Sequence, residues 1–339
     1  MEAWLQPVLP ALSDQQFADW QQLIESSAGI DLSQHRPILQ GGLSRRMRQL
    51  GQTDYDAYFD QVTRWPDGLA EWRLLLDSIA VKETSFFRQP AAFELVRNYL
   101  RARVHGTPTL DIWSVGCSTG EEPYGLAMVA TDLIERESAS CFLGVLATDL
   151  CTDALQHARA GRFRAKRLEQ IPEALRRRFF VAESEQVINN GQVAENEPFY
   201  RVLPALQRRI CFAQANLLDI EHLPTLPMDV IFCQNVFVYF RRWRVKQVLD
   251  ALVERLKPGG LLVLGPGEAA HWQHPALVRT AQQGVTAWLR RVEPQTQHAD
   301  AKSSYKNFSS TADRGPSHKA ASSHKVLSSN KVEGNGRRA

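Results

Sequence analysis

Four short apolar runs, at residues 110–115, 142–148, 227–233 and 261–265, constrain this chain more than any other feature of its sequence. Between them lie helical patterns. One opens at Glu121-Glu122-Pro123 and reaches about residue 134, and another covers 153–160. A third covers 247–256 and is stopped by Lys257-Pro258-Gly259-Gly260. Apolar runs of this length without polar alternation read as strands covered on both faces. Strands that alternate with helices predict an α/β fold with a parallel sheet and crossover helices. Between about 179 and 209 the alternation breaks, and β-rich segments flank Asn189-Asn190-Gly191. That turn signal predicts a small antiparallel insertion.

Residues from about 13 to 85 carry helical signals. Ser13 is placed to cap a helix whose stripe is Phe17, Trp20, Leu23 and Ile24. A second helix follows Pro37, with Leu43, Met47 and Leu50 on one face. On a wheel of about 100° per residue with Arg45 at zero, that stripe falls near 140° to 200°. Arg45, Arg46 and Arg48 fall at about 0°, 100° and −60°, so all three are expected to point outward. They form a positive face on an otherwise acidic stretch, and an ordinary solvated face is the competing reading. Further helices are expected at 55–62, 69–79 and 91–103. The expected organisation is a helical domain over 1–90, an α/β domain over 91–293 with the insertion at about 179–209, and a tail over 294–339.

Charge is uneven along the chain. From 295 to 339 eight basic residues stand against three acids, so the tail carries +5 and the remainder −2. A mildly acidic body gives no support for nucleic-acid binding. The tail is rich in Ser, Asn, Gly and Lys, and disorder is expected there. No apolar run approaches the ~18 residues of a membrane helix, so membrane insertion is not expected. No Lys or Arg precedes Arg36, so a secretory leader is not expected either. Five cysteines lie singly with no C-x-x-C pair, which predicts a reducing cytoplasm. His271 and His274 lack further ligands nearby, so no metal is expected.

The stretch Asp111-Ile-Trp-Ser-Val-Gly-Cys-Ser-Thr-Gly-Glu-Glu-Pro-Tyr124 carries the site chemistry. A glycine loop between strand and helix lets a nucleotide-like ligand approach the backbone. A pyrophosphate would be drawn to the helix dipole and repelled by Glu121 and Glu122. A cofactor with a cationic amino group, a sulfonium and no phosphate suits those carboxylates better, as S-adenosylmethionine (SAM) does. Asp149, ending the next strand, is placed to accept hydrogen bonds from ribose hydroxyls. Taken alone, two acids in a first helical turn are ordinary dipole compensation.

Beyond these features, the chain resembles the CheR-type chemotaxis-receptor glutamate O-methyltransferases over about residues 13–293. The matching stretches are Glu-Thr-Ser-Phe-Phe-Arg at 83–88, Trp-Ser-Val-Gly-Cys-Ser-Thr-Gly-Glu-Glu-Pro-Tyr at 113–124, Ala-Thr-Asp-Leu at 147–150, Asn-Leu-Leu at 216–218 and Ile-Phe-Cys-Gln-Asn-Val-Phe-Val-Tyr-Phe at 231–240. The resemblance implies a Rossmann-like class I SAM-dependent methyltransferase with an N-terminal all-helical domain and a small antiparallel β insertion. It implies SAM as cofactor, S-adenosylhomocysteine as product, and no metal. The implied partner is the cytoplasmic helical domain of chemoreceptors, with Arg45, Arg46 and Arg48 guiding an acidic receptor helix, and a monomeric enzyme is expected.

By that resemblance Thr84 and Arg88 would reach the methionine end of SAM, and Lys82 is counted with the cofactor-binding residues. Glu121 would hold its amino group, Asp149 the ribose, and Asn216 with Leu217 the adenine. Cys233 and Gln234 would line the pocket, while Asn235 and Tyr239 would face methyl transfer, with Gln234 beside them. Phe86, Phe87 and Phe240 read as core aromatics. Where the family carries Arg, this chain has Gln234; where it carries Asn, Lys82; and where it carries His-Ser-Glu, Pro266-Gly267-Glu268. Gln cannot replace the bidentate fork of Arg, although Lys82 could supply a compensating charge. An alternative is a SAM-binding or receptor-docking regulatory protein with weak or absent catalysis. Asn235-Val-Phe-Val-Tyr239 is not the N-P-P-Y of nucleic-acid N-methylation.

Overall fold

The computed structural model describes residues 9–183, 187–189, 192–194, 198–223 and 225–292. The tail at 294–339, read above as disordered, lies outside the described residues. Four helices come first: α1 (Asp14–Ala28), α2 (Arg36–Leu50), α3 (Tyr55–Thr63) and α4 (Leu69–Ile79). Ser13 caps α1 in a capping box with Gln16, as its spacing predicts. Trp20 anchors the helical core against Tyr58 and Phe59, at centroid distances of 5.4 and 4.9 Å. Leu39, Leu43 and Met47 of α2 are fully buried beside it. The α2–α4 crossing is close, since a Cβ on Gly42 would stand 2.5 Å from Ile79.

That crossing corrects two expectations about α2. Arg46 does not point outward: its Nε and Nη2 donate to the Glu71 carboxylate at 2.9 and 2.6 Å. Tyr58 donates its hydroxyl to the same carboxylate at 2.7 Å. The buried arc of α2 runs from Gly42, at about 60° on the wheel, to Met47 at about 200°, and Arg46 at about 100° lies inside it. A cation facing α4 must be paired, and Glu71 pairs it. Leu50, expected on the buried stripe, is the last residue of α2 and is 38% exposed. Arg45 and Arg48 are exposed as expected, although Arg45 Nη1 also donates to the Ser78 carbonyl at 2.8 Å.

The α/β body follows in the order α5 (Pro90–Arg101), β1 (Thr109–Val115), α6 (Glu121–Arg136), β2 (Phe142–Asp149) and α7 (Thr152–Ala160). Next come β3 (Arg162–Arg164), α8 (Glu173–Phe179), β4 (Phe180–Glu183), β5 (Val187–Asn189), β6 (Gln192–Ala194) and β7 (Phe199–Val202). Then come α9 (Pro204–Gln207), β8 (Ile210–Gln214), β9 (Met228–Cys233), α10 (Arg242–Glu254), β10 (Leu256–Leu264), β11 (Leu277–Arg279) and β12 (Thr286–Arg290). The main sheet has the order β11-β12-β10-β9-β1-β2-β8. Its pairs are parallel except those made by β12.

The four strands expected from apolar runs are the four central ones, and every residue of β9 is buried. The strands that the sequence reading did not resolve, β8, β11 and β12, lie to the outside. Their apolar runs are short, at most the four residues Ile210–Ala213, and these strands are only partly buried. The small antiparallel sheet β3-β7-β4 draws in Arg162–Arg164 as well as the expected 179–209 stretch. Strands β5 and β6 pair antiparallel across the Asn189-Asn190-Gly191 signal, with residues 190 and 191 outside the described set. Strand order reverses at β1, which lies between β2 and β9. In such sheets the ligand crevice opens at the carboxyl ends of the strands flanking that point.

Candidate functional site

The β1–α6 turn is built for close approach. Gly116 has φ +71°, and a Cβ there would stand 2.4 Å from Val236. Gly120 has φ +98°, and its Cβ would meet Ala158 at 2.9 Å. Ser118 also adopts positive φ, at 48°, and its buried hydroxyl has no hydrogen-bond partner among the described residues. The turn is tied to β2 by the Gly116 and Cys117 N–H groups, which donate to the Thr148 carbonyl at 2.8 and 2.9 Å. Asp149 completes the tie: its Oδ2 accepts from Ser118 N–H and its Oδ1 from Cys151 N–H, both at 2.8 Å. Burial pushes the Asp149 carboxyl up, and those two backbone donors oppose the rise.

The two glutamates opening α6 face different ways. Glu122 is on the cavity wall and accepts the Ser114 hydroxyl at 2.7 Å. Burial pushes its carboxyl up to about 8, with the Glu268 carboxylate adding to the rise. Glu121, expected to hold the ligand's amino group, is 1% exposed, bonded by the Thr119 hydroxyl at 2.6 Å, and is not part of the cavity wall. Successive helical residues differ by about 100° in direction, and here it is Glu122 that faces the crevice while Glu121 lies behind it.

A stability consequence follows from Glu122. Its carboxyl sits above the ordinary value of 4.5 in the folded chain, so ionisation opposes folding as pH rises from about 4.5 towards 8. Glu122→Gln keeps an acceptor for Ser114 and removes that cost. The ligand-free variant should therefore melt above the wild type at pH 8, by roughly 3 °C or more, and the gap should close near pH 5. Its SAM affinity should fall at the same time. A melting gap that does not change with pH would sink this reading.

The helical part closes the crevice from the other side. Lys82 is on the wall, with its ammonium bonded to Asp153 Oδ2 at 2.7 Å. Burial works against its charge, but the Asp153 partner prevails and the Lys82 pKa is raised. Lys82 is thus engaged by α7, not held in reserve for the cation missing at 234. Asp77 of α4 supplies the cap that Cys151 does not: its Oδ2 accepts from the Thr152 hydroxyl at 2.7 Å and from Asp153 N–H at 3.3 Å. Thr84 lines the cavity, and its carbonyl accepts from Arg167 at 2.7 Å. Arg88 lines it too, braced on the Glu83 carbonyl at 3.0 Å, and its charge opposes the upward shift of Glu122.

The turn after β9 forms the rim. Cys233 is fully buried among the strands and does not reach the wall, which corrects its expected role. Side chains alternate along a strand, so Gln234 takes the wall instead. The Gln234 amide donates to Gln89 Oε1 and to the Leu264 carbonyl. Gln89 in turn donates to the Gly284 carbonyl at 2.8 Å. Asn235, at φ +59°, is exposed on the rim. Tyr239 meets His35 edge-on at 5.2 Å, and its carbonyl accepts Asp31 N–H at 2.6 Å. Phe240, expected in the core, is half-buried on the wall. Asn216 and Leu217 are on the wall as well. The Asn216 amide donates to the Ser27 carbonyl at 2.8 Å and accepts Leu218 N–H at 3.1 Å.

The structure thus gathers Lys82, Thr84, Arg88, Asp149, Asn216, Leu217, Gln234, Asn235 and Tyr239 around one cavity of about 320 Å³. It leaves out Glu121 and Cys233. Sequence reasoning gave no role to Ser118 and named Glu122 only jointly with Glu121; the run from Gly116 to Glu122 carried the signal for both. No group of residues that could hold a metal ion occurs among the described residues, and His274 accepts a local backbone N–H. The donor set fits SAM. Two half-buried carboxyl groups and an unpartnered hydroxyl suit ribose hydroxyls and a cationic amino group.

Comparison with known proteins agrees with this geometry. Residues 82–286 match the family described as CheR methyltransferase, SAM binding domain, and residues 15–80 match CheR methyltransferase, all-alpha domain. The chain is 34% identical over 259 residues to the chemotaxis protein methyltransferase of Escherichia coli (strain K12), covering 76% of this chain and 85% of that one. It is 32% identical over 285 residues to chemotaxis protein methyltransferase 2 of Pseudomonas aeruginosa, covering 81% and 96%. Similarity also extends to the probable biofilm formation methyltransferase WspC of that organism, 28% identical over 256 residues and covering 74% and 56%. The expected α/β methyltransferase fold, with helices before it and a small antiparallel sheet, is the one observed.

Proposed function

This chain belongs to the CheR methyltransferase family, and we propose from that premise that it esterifies glutamate side chains of chemoreceptors in chemosensory adaptation. The observation that carries the reading is the joining, in one cavity, of an acidic end suited to SAM and a rim bearing Asn235 and Tyr239. Relatives named chemotaxis protein methyltransferase support it. Those relatives do not favour the regulatory alternative raised by Gln234, whose amide is built into the wall through Gln89 and Leu264. Among the described residues no helix is long and apolar enough to cross a membrane. The cysteines are free, which suits action in a reducing cytoplasm on the helical domain of the receptor.

When bound, SAM supplies an electrophilic methyl group. In this reading Asp149 holds the ribose hydroxyls, Glu122 the amino group, and the Asn216–Leu217 backbone the adenine edge. Thr84, Arg88 and the Ser118 hydroxyl meet the remaining polar groups. The acceptor glutamate, with an ordinary pKa of about 4.3, is already an anion at neutral pH, so no general base is required. The ester product needs no proton removed. Rate enhancement then rests on holding the carboxylate in line with the methyl group, and Tyr239 is the residue assigned to orient it through its hydroxyl.

Labelled-methyl transfer to a purified cytoplasmic receptor fragment tests this. Tyr239→Phe should lower turnover about 10- to 100-fold, the loss associated with one donor aimed at the reacting group, while SAM affinity stays within about twofold. Equal losses in both would make Tyr239 a structural residue of the cofactor pocket.

A further inference from the structure

Three backbone N–H groups at the ends of β9 and β10 converge on one side chain. Glu268 Oε2 accepts from Asn235 N–H at 2.9 Å and from Gly265 N–H at 2.8 Å. Its Oε1 accepts from Phe237 N–H at 2.8 Å. A bend with a positive φ at Asn235 turns successive N–H groups inward, the arrangement that elsewhere binds anions. Here the protein fills it with its own carboxylate. The fit leaves no spare room: a Cβ on Gly265 would stand 2.4 Å from Glu268 Oε2 and 2.9 Å from Asn235 N. On the opposite side Val236 packs where a Cβ on Gly116 would be, so the glycine turn under the ligand presses on the same bend.

We propose that Glu268 is a positioning residue for methyl transfer, clamping the 235–239 bend so that Asn235 and Tyr239 meet the acceptor in a fixed pose. The proposal rests on the assignment of those two residues to the acceptor side. Glu268 itself is not part of the cavity wall and touches no reacting atom. Its action is through the backbone that carries Asn235 and Tyr239. Other restraints also act on the bend. Val236 packs on Gly116, the Phe237 ring is buried, and Phe240 N–H closes a turn on the Phe237 carbonyl. Gln234 bonds Leu264, and the Tyr239 carbonyl accepts Asp31 N–H. None of these takes the Asn235 N–H, which Glu268 does. Without the carboxylate, the N–H groups of Asn235, Phe237 and Gly265 lose their acceptor together. Asn235 then loses the hydrogen bond that holds its N–H at positive φ, and its exposed side chain can shift by the ångström or so that matters for in-line transfer.

Glu268→Gln keeps the size of the side chain and one acceptor oxygen, but turns an amide N–H₂ towards backbone donors. Turnover on the receptor fragment should drop at least ~20-fold with the SAM Kd within about threefold, as expected when pose is lost and the cofactor pocket is kept. Amide exchange at 235–239 should speed up by about tenfold or more, and Glu268→Asp, one methylene short, should fall between Gln and wild type in both readouts. Amide exchange and SAM affinity need no receptor, so the clamp is judged even if the wild type transfers no methyl to receptor carboxylates. That failure would remove the proposed function, not the clamp. Unchanged exchange at 235–239 in Glu268→Gln overturns the proposal. So does a rise in SAM Kd that matches the fall in turnover, which would make Glu268 a support of the cofactor pocket. If Glu268→Gln does not melt cooperatively, Glu268→Asp carries the same measurements.

Discussion

Replacing Asp149 by alanine should raise the SAM Kd by about 30- to 300-fold, the range for losing a half-buried charged acceptor with two donors facing it. The carboxylate ends β2, the strand beside the switch point of the sheet, and both of its oxygens are oriented by backbone N–H groups. It is thus preorganised, with a second lone pair on each oxygen left for a ligand. Burial makes its charge costly in the free protein, and a bound donor pair offsets that cost. Alanine also removes the acceptor for Ser118 N–H, which loosens the glycine turn. Asp149→Asn keeps one acceptor oxygen and should fall between. Titration calorimetry on variants that melt cooperatively gives the answer. An alanine variant that binds SAM as tightly as the wild type would put the ribose elsewhere.

The second large effect concerns receptor docking. Arg45 and Arg48 remain exposed on α2, while Arg46 is engaged by Glu71. Arg45 also caps the end of α4 through the Ser78 carbonyl, and α4 leads directly to the wall residues Ala80 and Val81. An acidic helix drawn to this pair would therefore arrive beside the cavity mouth. A glutamate at 45 would sit against that carbonyl, so the cleaner variant is Arg45→Ala with Arg48→Glu. Its receptor KM should rise roughly tenfold at low salt, with SAM affinity and melting close to wild type. At about 0.15 M salt, where charges are screened beyond ~8 Å, the two proteins should converge. A KM that does not move would return this face to ordinary solvated surface.

How much of this was legible in the sequence depends on how many faces of an element are buried. The four central strands and the helices between them read directly, because strands covered on both sides leave continuous apolar runs. The outer strands did not, since the apolar runs of β8 and β12 are only four and three residues long and β11 has three residues in all. On α2 the wheel angle for Arg46 was right and the conclusion wrong. A position at the edge of an apolar arc is outward only if no neighbouring helix covers it, and α4 does. At α6 the same arithmetic separates Glu121 from Glu122, but which of them faces the crevice depends on how the helix is rotated against the sheet. The motifs brought most site residues to one cavity, whereas Cys233 and Gln234 divided by strand alternation. Glu268 was visible only as a remnant of a motif, since a carboxylate satisfied by backbone donors leaves no trace in spacing.

The central claim is that the acceptor is a carboxylate on a receptor helix. The wild-type chain, incubated with labelled SAM and the purified cytoplasmic fragment of a chemoreceptor, should leave methyl groups that tandem mass spectrometry places on glutamate side chains. Mild base should release them as methanol, the behaviour of an ester. Label that stays on in base, or that maps to lysine, arginine or nucleic acid, would contradict the account, as would SAM bound tightly with no transfer to any glutamate.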